Sequence, residues 1–194
     1  MLYRIALLIS ALALLLSACS SPLGDLGQTA PAELRVLATS APAASELSGQ
    51  AAGDYLSLTL YVREVAFVGG DAPVVLASYD EPVALDLVAL AGLPQDLAEA
   101  PVPSGDYPDA QLRLIVDHAE ITVEDEVGEG VSHEVTVPSG ERSGYKIKLG
   151  DLALPPETSV QVTLEFDPSA SVVETGGGGY LLKPVVSASV TPLE

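Results

Sequence analysis

The chain has 194 residues, with 8 lysines and arginines against 27 aspartates and glutamates, a formal net charge of −19. So acidic a chain repels nucleic acid and anionic lipid, and its electrostatic complement is a cation or a basic partner. One cysteine and two histidines exclude an intrachain disulfide and leave too few ligands for a zinc or copper site.

In chain order, Met1 to Arg4 carries one positive charge, Ile5 to Leu16 is a twelve-residue, predominantly apolar run, and Leu16-Ser17-Ala18-Cys19 follows. That run would rise only about 18 Å as a helix, against a bilayer core of roughly 30 Å, so it reads as an export signal and not as a span. Small residues before a lone cysteine resemble the lipobox of bacterial lipoproteins. The resemblance implies cleavage before Cys19, diacylglyceryl modification of its thiol and acylation of the new N-terminus. Several acyl chains hold a protein far more firmly than one. Ser20, not aspartate, follows the cysteine, which resembles the pattern directed to the outer membrane of two-membrane bacteria. The expected organisation is a signal peptide over 1–18, a lipidated cysteine with a flexible tether over 19–31, and one folded domain over 32–194. Loss of Arg4 with the signal leaves seven basic residues against 27 acidic ones, a net charge of −20.

The remainder is written in period two. Ala32 to Thr39 alternates Leu34 and Val36 with Glu33 and Arg35, a first strand. Tyr55 to Val68 is the longest alternating run. Simple alternation puts Leu56, Leu58, Leu60, Val62, Ala66 and Val68 on one face, with Tyr61, Arg63 and Val65 opposite. Gly69-Gly70-Asp71 turns the chain into a short return strand at Val74 to Ala77. Val83 to Leu90 fits either a strand or a helical turn, and Gln95 to Ala100 reads as one short helix. The tetrapeptide Val-Pro-Ser-Gly occurs at 102–105 and 137–140, each time ahead of a tyrosine and an alternating strand, Gln111 to Val116 and Gly144 to Leu149. Ala119 to Val127 and Ser132 to Val137 form a hairpin with an acidic, glycine-containing tip. Val160 to Phe166 is a half-buried strand ended by Asp167-Pro168-Ser169. Val172-Val173, four glycines, Tyr180 to Leu182 and Val186 to Val190 then complete an all-β chain.

Three blocks, PVPSGDYPDAQLRLIV, TVPSGERSGYKIKL and LEFDPSASVVETGGGGYLLKPVV, resemble in order and spacing the bacterial family known as domain of unknown function 4382. ELRVLATSAP at 33–42 and LDLVAL at 85–90 fit its earlier segments. The resemblance covers about 32–190 and implies a β-sandwich on an exported, often lipidated protein, with no established activity to carry over. Two positions depart from it: Ser40 and Glu165 stand where the family often has aspartate. The expected fold is a single β-sandwich of seven or eight strands, immunoglobulin-like or prealbumin-like.

The chemistry on offer is sparse. His118 and His133 are the only bases suited to a hydrolase, and Asp117 precedes His118; strict alternation would send that pair to opposite faces. Neither a nucleophile elbow nor a zincin or P-loop motif is present. Calcium is the one metal whose oxygen ligands the turns supply, from Glu124, Asp125, Glu126 and Glu129 at the hairpin tip and Glu165 and Asp167 at the later corner, although neither group has EF-hand spacing. The plainer reading is a solvated tip and a turn-capping Asp167. Six tyrosines after the signal, Tyr61 foremost, offer stacking surface for a glycan. Lys146 and Lys148 make a small basic spot on an outward strand face, and Gly176 to Gly179 reads as a hairpin tip. These features suggest a non-enzymatic envelope module that contacts a protein or polysaccharide partner. Calcium-dependent or glycan-binding adhesion and an envelope hydrolase are the alternatives.

Overall fold

The computed structural model describes residues 29–41, 55–138 and 143–193. The signal, Cys19, most of the tether, the 42–54 loop and the end of the second Val-Pro-Ser-Gly lie outside the described residues. Eleven strands and one helical turn follow in order: β1 (Ala32–Ser40), β2 (Tyr55–Val68), β3 (Val74–Asp86), β4 (Gln95–Val102), β5 (Gly105–Glu124), β6 (Gly130–Thr136), β7 (Tyr145–Leu154), β8 (Ser159–Phe166), α1 (Pro168–Ser171), β9 (Val172–Glu174), β10 (Tyr180–Leu182) and β11 (Val186–Leu193).

They form two facing sheets, a β-sandwich. The smaller runs β11-β8-β1-β4, with β1 and β8 parallel. The larger runs β3-β2-β5-β6-β10-β9, and β7 pairs with β5 as well. The 20-residue β5 is its spine. One edge pairs with β2 over most of its length, and the other is shared between β7 at its start and β6 at its end. The core lies between the sheets. Leu34, Val36, Val162, Leu164 and Phe166 from one side meet Leu58, Leu60, Leu112, Leu114 and Ile121 from the other, all at most 1% exposed. Burying each such side chain is worth about 1.5–3 kcal/mol. The sides of the sandwich are linked too: the Tyr79 hydroxyl on β3 donates to the Leu97 carbonyl on β4.

Several expectations change. Gln95–Val102 is strand β4 and not a helix: its Ala, Glu and Leu favour a helix locally, but the free edge of β1 supplies a ladder from Ala32↔Val102 to Ala38↔Gln95. The return strand continues past Ala77 to Asp86, and the chain then turns over 87–90, where the Asp86 carboxylate accepts from the Val88 and Ala89 amides at 3.0 and 3.3 Å. Eleven short and long strands replace the seven or eight expected. The one-turn α1 follows β8, with Asp167 as its N-cap accepting from the Ala170 amide at 3.1 Å.

The phase of β2 also differs. Leu56 is 53% exposed, while Val65 and Phe67 are buried against Leu114 and Leu112. The inward rows are Leu58, Leu60, Val62 and then Val65, Phe67 on β2. On β5 they are Ile121, Ala119 and then Val116, Leu114, Leu112. An irregularity between Tyr55 and Ser57 leaves Leu56 outside the inward row, and in the middle of the ladder each strand breaks period two, at neighbouring places. β5 inserts an extra residue between Val116 and Ala119, and β2 inserts one between Val62 and Val65. The two bulges compensate, so register is recovered beyond them.

The two Val-Pro-Ser-Gly units end differently. In the first, the Tyr107 hydroxyl donates to the Pro103 carbonyl and its ring packs edge-on against Phe67 at 4.9 Å. The turn is thus closed by the tyrosine; the Ser104 hydroxyl has no partner among the described residues. In the second, Tyr145 is half-buried, its hydroxyl also lacks a described partner, and burial pushes its pKa up to about 12. Gly144 before it has φ +68°, and a β-carbon there would sit 2.7 Å from the Leu114 carbonyl oxygen. Both the left-handed backbone and that close approach demand glycine. Gly144→Ala is therefore expected to destabilise the fold by about 1–3 kcal/mol in urea denaturation. Gly176→Ala, where a β-carbon meets open space, should leave the midpoint unchanged.

Candidate functional site

The densest polar cluster among the described residues sits on the outer face of the larger sheet, at the paired bulges. The extra residue on β5 turns Asp117 and His118 to the same side, where strict alternation would have separated them. His118 Nδ1 lies 3.1 Å from Asp117 Oδ2. Asp117 also accepts from Arg63, the extra residue of β2, through Nε at 2.9 Å and through the terminal nitrogen. The hydrogen bonds from Arg63 first, then His118, hold the Asp117 carboxyl below the usual carboxylate range. The His118 ring stacks on Tyr61, centroids 4.0 Å apart and planes 11° from parallel, and the Tyr61 hydroxyl donates to Glu120 at 3.2 Å. Beside it Arg113 pairs with Glu64 at 2.7 Å.

The expectation that Asp117 and His118 could not touch is thus overturned by the bulge. Their contact does not complete a hydrolytic triad. Among the described residues no serine, threonine or cysteine side chain bonds to His118, and the Asp117 carboxylate is already held by Arg63. His133, the other base, faces inward on β6 beside Tyr180, ring centroids 5.4 Å apart, in the row that pairs with Ile121.

The acidic residues proposed for calcium fall into two separate turns. At the β5–β6 tip, the Asp125 carboxylate accepts from the Val127 and Glu129 amides at 2.9 and 2.8 Å, and its own amide donates to the Glu129 carbonyl. Asp125 is consumed in building the turn, while Glu124, Glu126 and Glu129 are exposed. At the other corner Glu165 is exposed on β8 and Asp167 caps α1. Among the described residues no three His, Cys, Asp or Glu side chains are grouped to hold a metal ion. Ser40 is buried at the end of β1 and donates to the Leu87 carbonyl. A carboxylate at that position could not donate this bond unless protonated.

Shallow depressions line the seam of β5 and β7. One of about 360 Å³ is floored by Asp106, Tyr107 and Asp151. Another of about 420 Å³ lies between Thr29, Ser104 and Pro156. A third of about 260 Å³ abuts Lys148 and Gly150. Neither histidine lines any of the three.

The model of the family described as domain of unknown function (DUF4382) matches residues 40–184. The chain belongs to this family. No curated protein and no solved structure matches it. The matched region of this DUF4382 chain runs from the buried Ser40 to just past β10, and so contains the whole larger sheet and the bulge cluster.

Sequence reasoning places Tyr61 outward but misses its stack with His118 and the Arg63 and Glu64 pairs. The signal is present: the apolar row shifts phase between Val116 and Ala119 and again between Val62 and Val65. Because Asp125 serves the turn, Asp125→Ala is expected to cost about 1 kcal/mol of stability through loss of the carboxylate that accepts from the Val127 and Glu129 amides. That loss should be equal in millimolar calcium and in chelator when followed by thermal melts. A calcium-dependent difference for the parent chain that Asp125→Ala abolishes would show that the tip binds the ion.

Proposed function

We propose that this DUF4382 protein is a lipid-anchored envelope module, tethered to the outer membrane through Cys19, that binds a protein or polysaccharide partner and performs no catalysis. Cys19 carries the reading of the anchor, being the only cysteine and standing directly after the apolar run and two small residues. Among the described residues no helix is long and apolar enough to cross a membrane. The bulge cluster supports the non-enzymatic reading. Its Asp–His pair lies on an open sheet face, engaged by Arg63 and Tyr61, and away from the depressions along β5 and β7. A net charge of −20 after signal removal favours a basic or cation-bearing partner. The half-exposed Tyr61–His118 stack favours one specific variant of this reading, a glycan-facing surface, in which Tyr61→Ala would weaken polysaccharide retention without altering the fold.

Cys19→Ser decides the anchor. The variant should leave the membrane pellet and appear in the soluble envelope fraction, followed by immunoblot and by loss of labelled fatty-acid incorporation. Retention of the variant in the pellet would overturn the lipid-anchor reading. For catalysis, esterase and glycosidase turnover should be indistinguishable between the parent and His118→Ala; a measurable activity lost in the variant would favour the hydrolase.

A further inference from the structure

We infer that the domain stands on the membrane by one defined end and presents the opposite end outward. The inference rests on the lipid-anchor reading and adds an orientation to it. The strand register sorts the turns into two sets. Pro31, just before β1, accepts from the Glu157 amide at 3.2 Å, and Thr29 lies beside Ser104 and Pro156. Ala32 pairs with Val102, and Gly105 with Leu154. The chain from Cys19 therefore joins the domain at the end formed by the β4–β5 and β7–β8 turns. The β2–β3 turn belongs there too, since Gly69 packs under Tyr107.

At the other end, Tyr55 at the start of β2 donates to the Pro168 carbonyl after β8, and pairs with Val123 near the end of β5. The acidic β5–β6 tip lies beyond it, and the β9–β10 turn points the same way because β10 runs parallel to β6. β5 crosses the whole distance with its 20 residues. At about 3.3 Å per residue, less its bulged positions, it spans roughly 50 Å.

The connection is short by comparison. Cys19 and Thr29 are ten residues apart in sequence, so whatever path the chain takes it reaches at most about 36 Å. The tip lies farther from the attachment point than that. The domain cannot rest on its acidic tip with the attachment end uppermost. Charge does not choose between the ends, because Asp71, Asp106 and Glu157 lie at the attachment end as well. The connection length excludes the inverted arrangement and keeps the attachment end near the membrane.

Energy transfer on the full lipidated chain tests this. With the Cys19 thiol carrying lipid, Asp71→Cys and Val127→Cys each provide one free thiol, at exposed positions on the attachment end and the far tip. Each is labelled with a donor and reconstituted into phosphatidylethanolamine–phosphatidylglycerol vesicles containing a headgroup acceptor. The label at residue 71 should show at least about twice the transfer of the label at 127, since roughly 50 Å of ladder separates them. Equal transfer, or stronger transfer at 127, in protein that floats with the vesicles would overturn the orientation while leaving the anchor intact. Failure to float, with Cys19→Ser behaving identically, would overturn the anchor reading instead.

Discussion

The pairing of β5 with β2 is the interaction on which the rest of this structure depends. Five inward pairs, Leu58 with Ile121, Leu60 with Ala119, Val62 with Val116, Val65 with Leu114 and Phe67 with Leu112, supply the wall against which the smaller sheet packs. Everything else in the larger sheet attaches to one of these two strands, directly or through β6. An apolar wall of this length cannot tolerate an uncorrected bulge, since a one-residue slip would send every later apolar side chain to solvent. The second bulge, on β2, restores the inward row. The same correction gathers Arg63, Glu64, Asp117 and His118 on the outer face, so the polar cluster is a consequence of how the core keeps register.

That origin bears on function. A catalytic Asp–His pair needs a nucleophile and a recess that excludes water. Here the pair lies on an open sheet, locked by a guanidinium and a stacked tyrosine. Its strongest physical role is to cross-link β2 and β5 where both depart from regular pairing. An exposed ion pair contributes little by itself, about 0–1 kcal/mol. In the proposed binding role, recognition would fall to the turns and faces, and the acidic composition would set the sign of what they attract.

Much of the fold is legible in period-two alternation. Leu34 and Val36, Val160 to Phe166, and Leu112 to Val116 each point where alternation puts them. The failures have identifiable causes. Gln95–Val102 carries helix-favouring residues, and only the vacant edge of β1, some sixty positions earlier in the chain, makes it a strand. The bulges are visible as phase breaks in the apolar rows, but alternation applied without a break hides them and separates Asp117 from His118. Turn chemistry alone has Ser104 bonding its own backbone, yet Tyr107 closes that turn, a contact that depends on Gly69 leaving room for the ring. The acidic tip is legible as a turn. That Asp125 spends its carboxylate on two amides follows from its place ahead of Val127 and Glu129, a local geometry more specific than composition conveys.

Native-state hydrogen exchange, resolved by residue, tests the central place of the β2–β5 ladder most directly. Amides of Leu58 to Val62 and Leu112 to Val116 should be the slowest in the chain and exchange only by global unfolding, while those of β9 and β11 open earlier. The short break at Asp117 and His118 should exchange faster than the residues on either side of it. If β2 and β5 instead exchanged as quickly as the outer strands, with the slowest amides confined to β1 and β8, the smaller sheet would be the stable nucleus and the β2–β5 ladder would lose its central place.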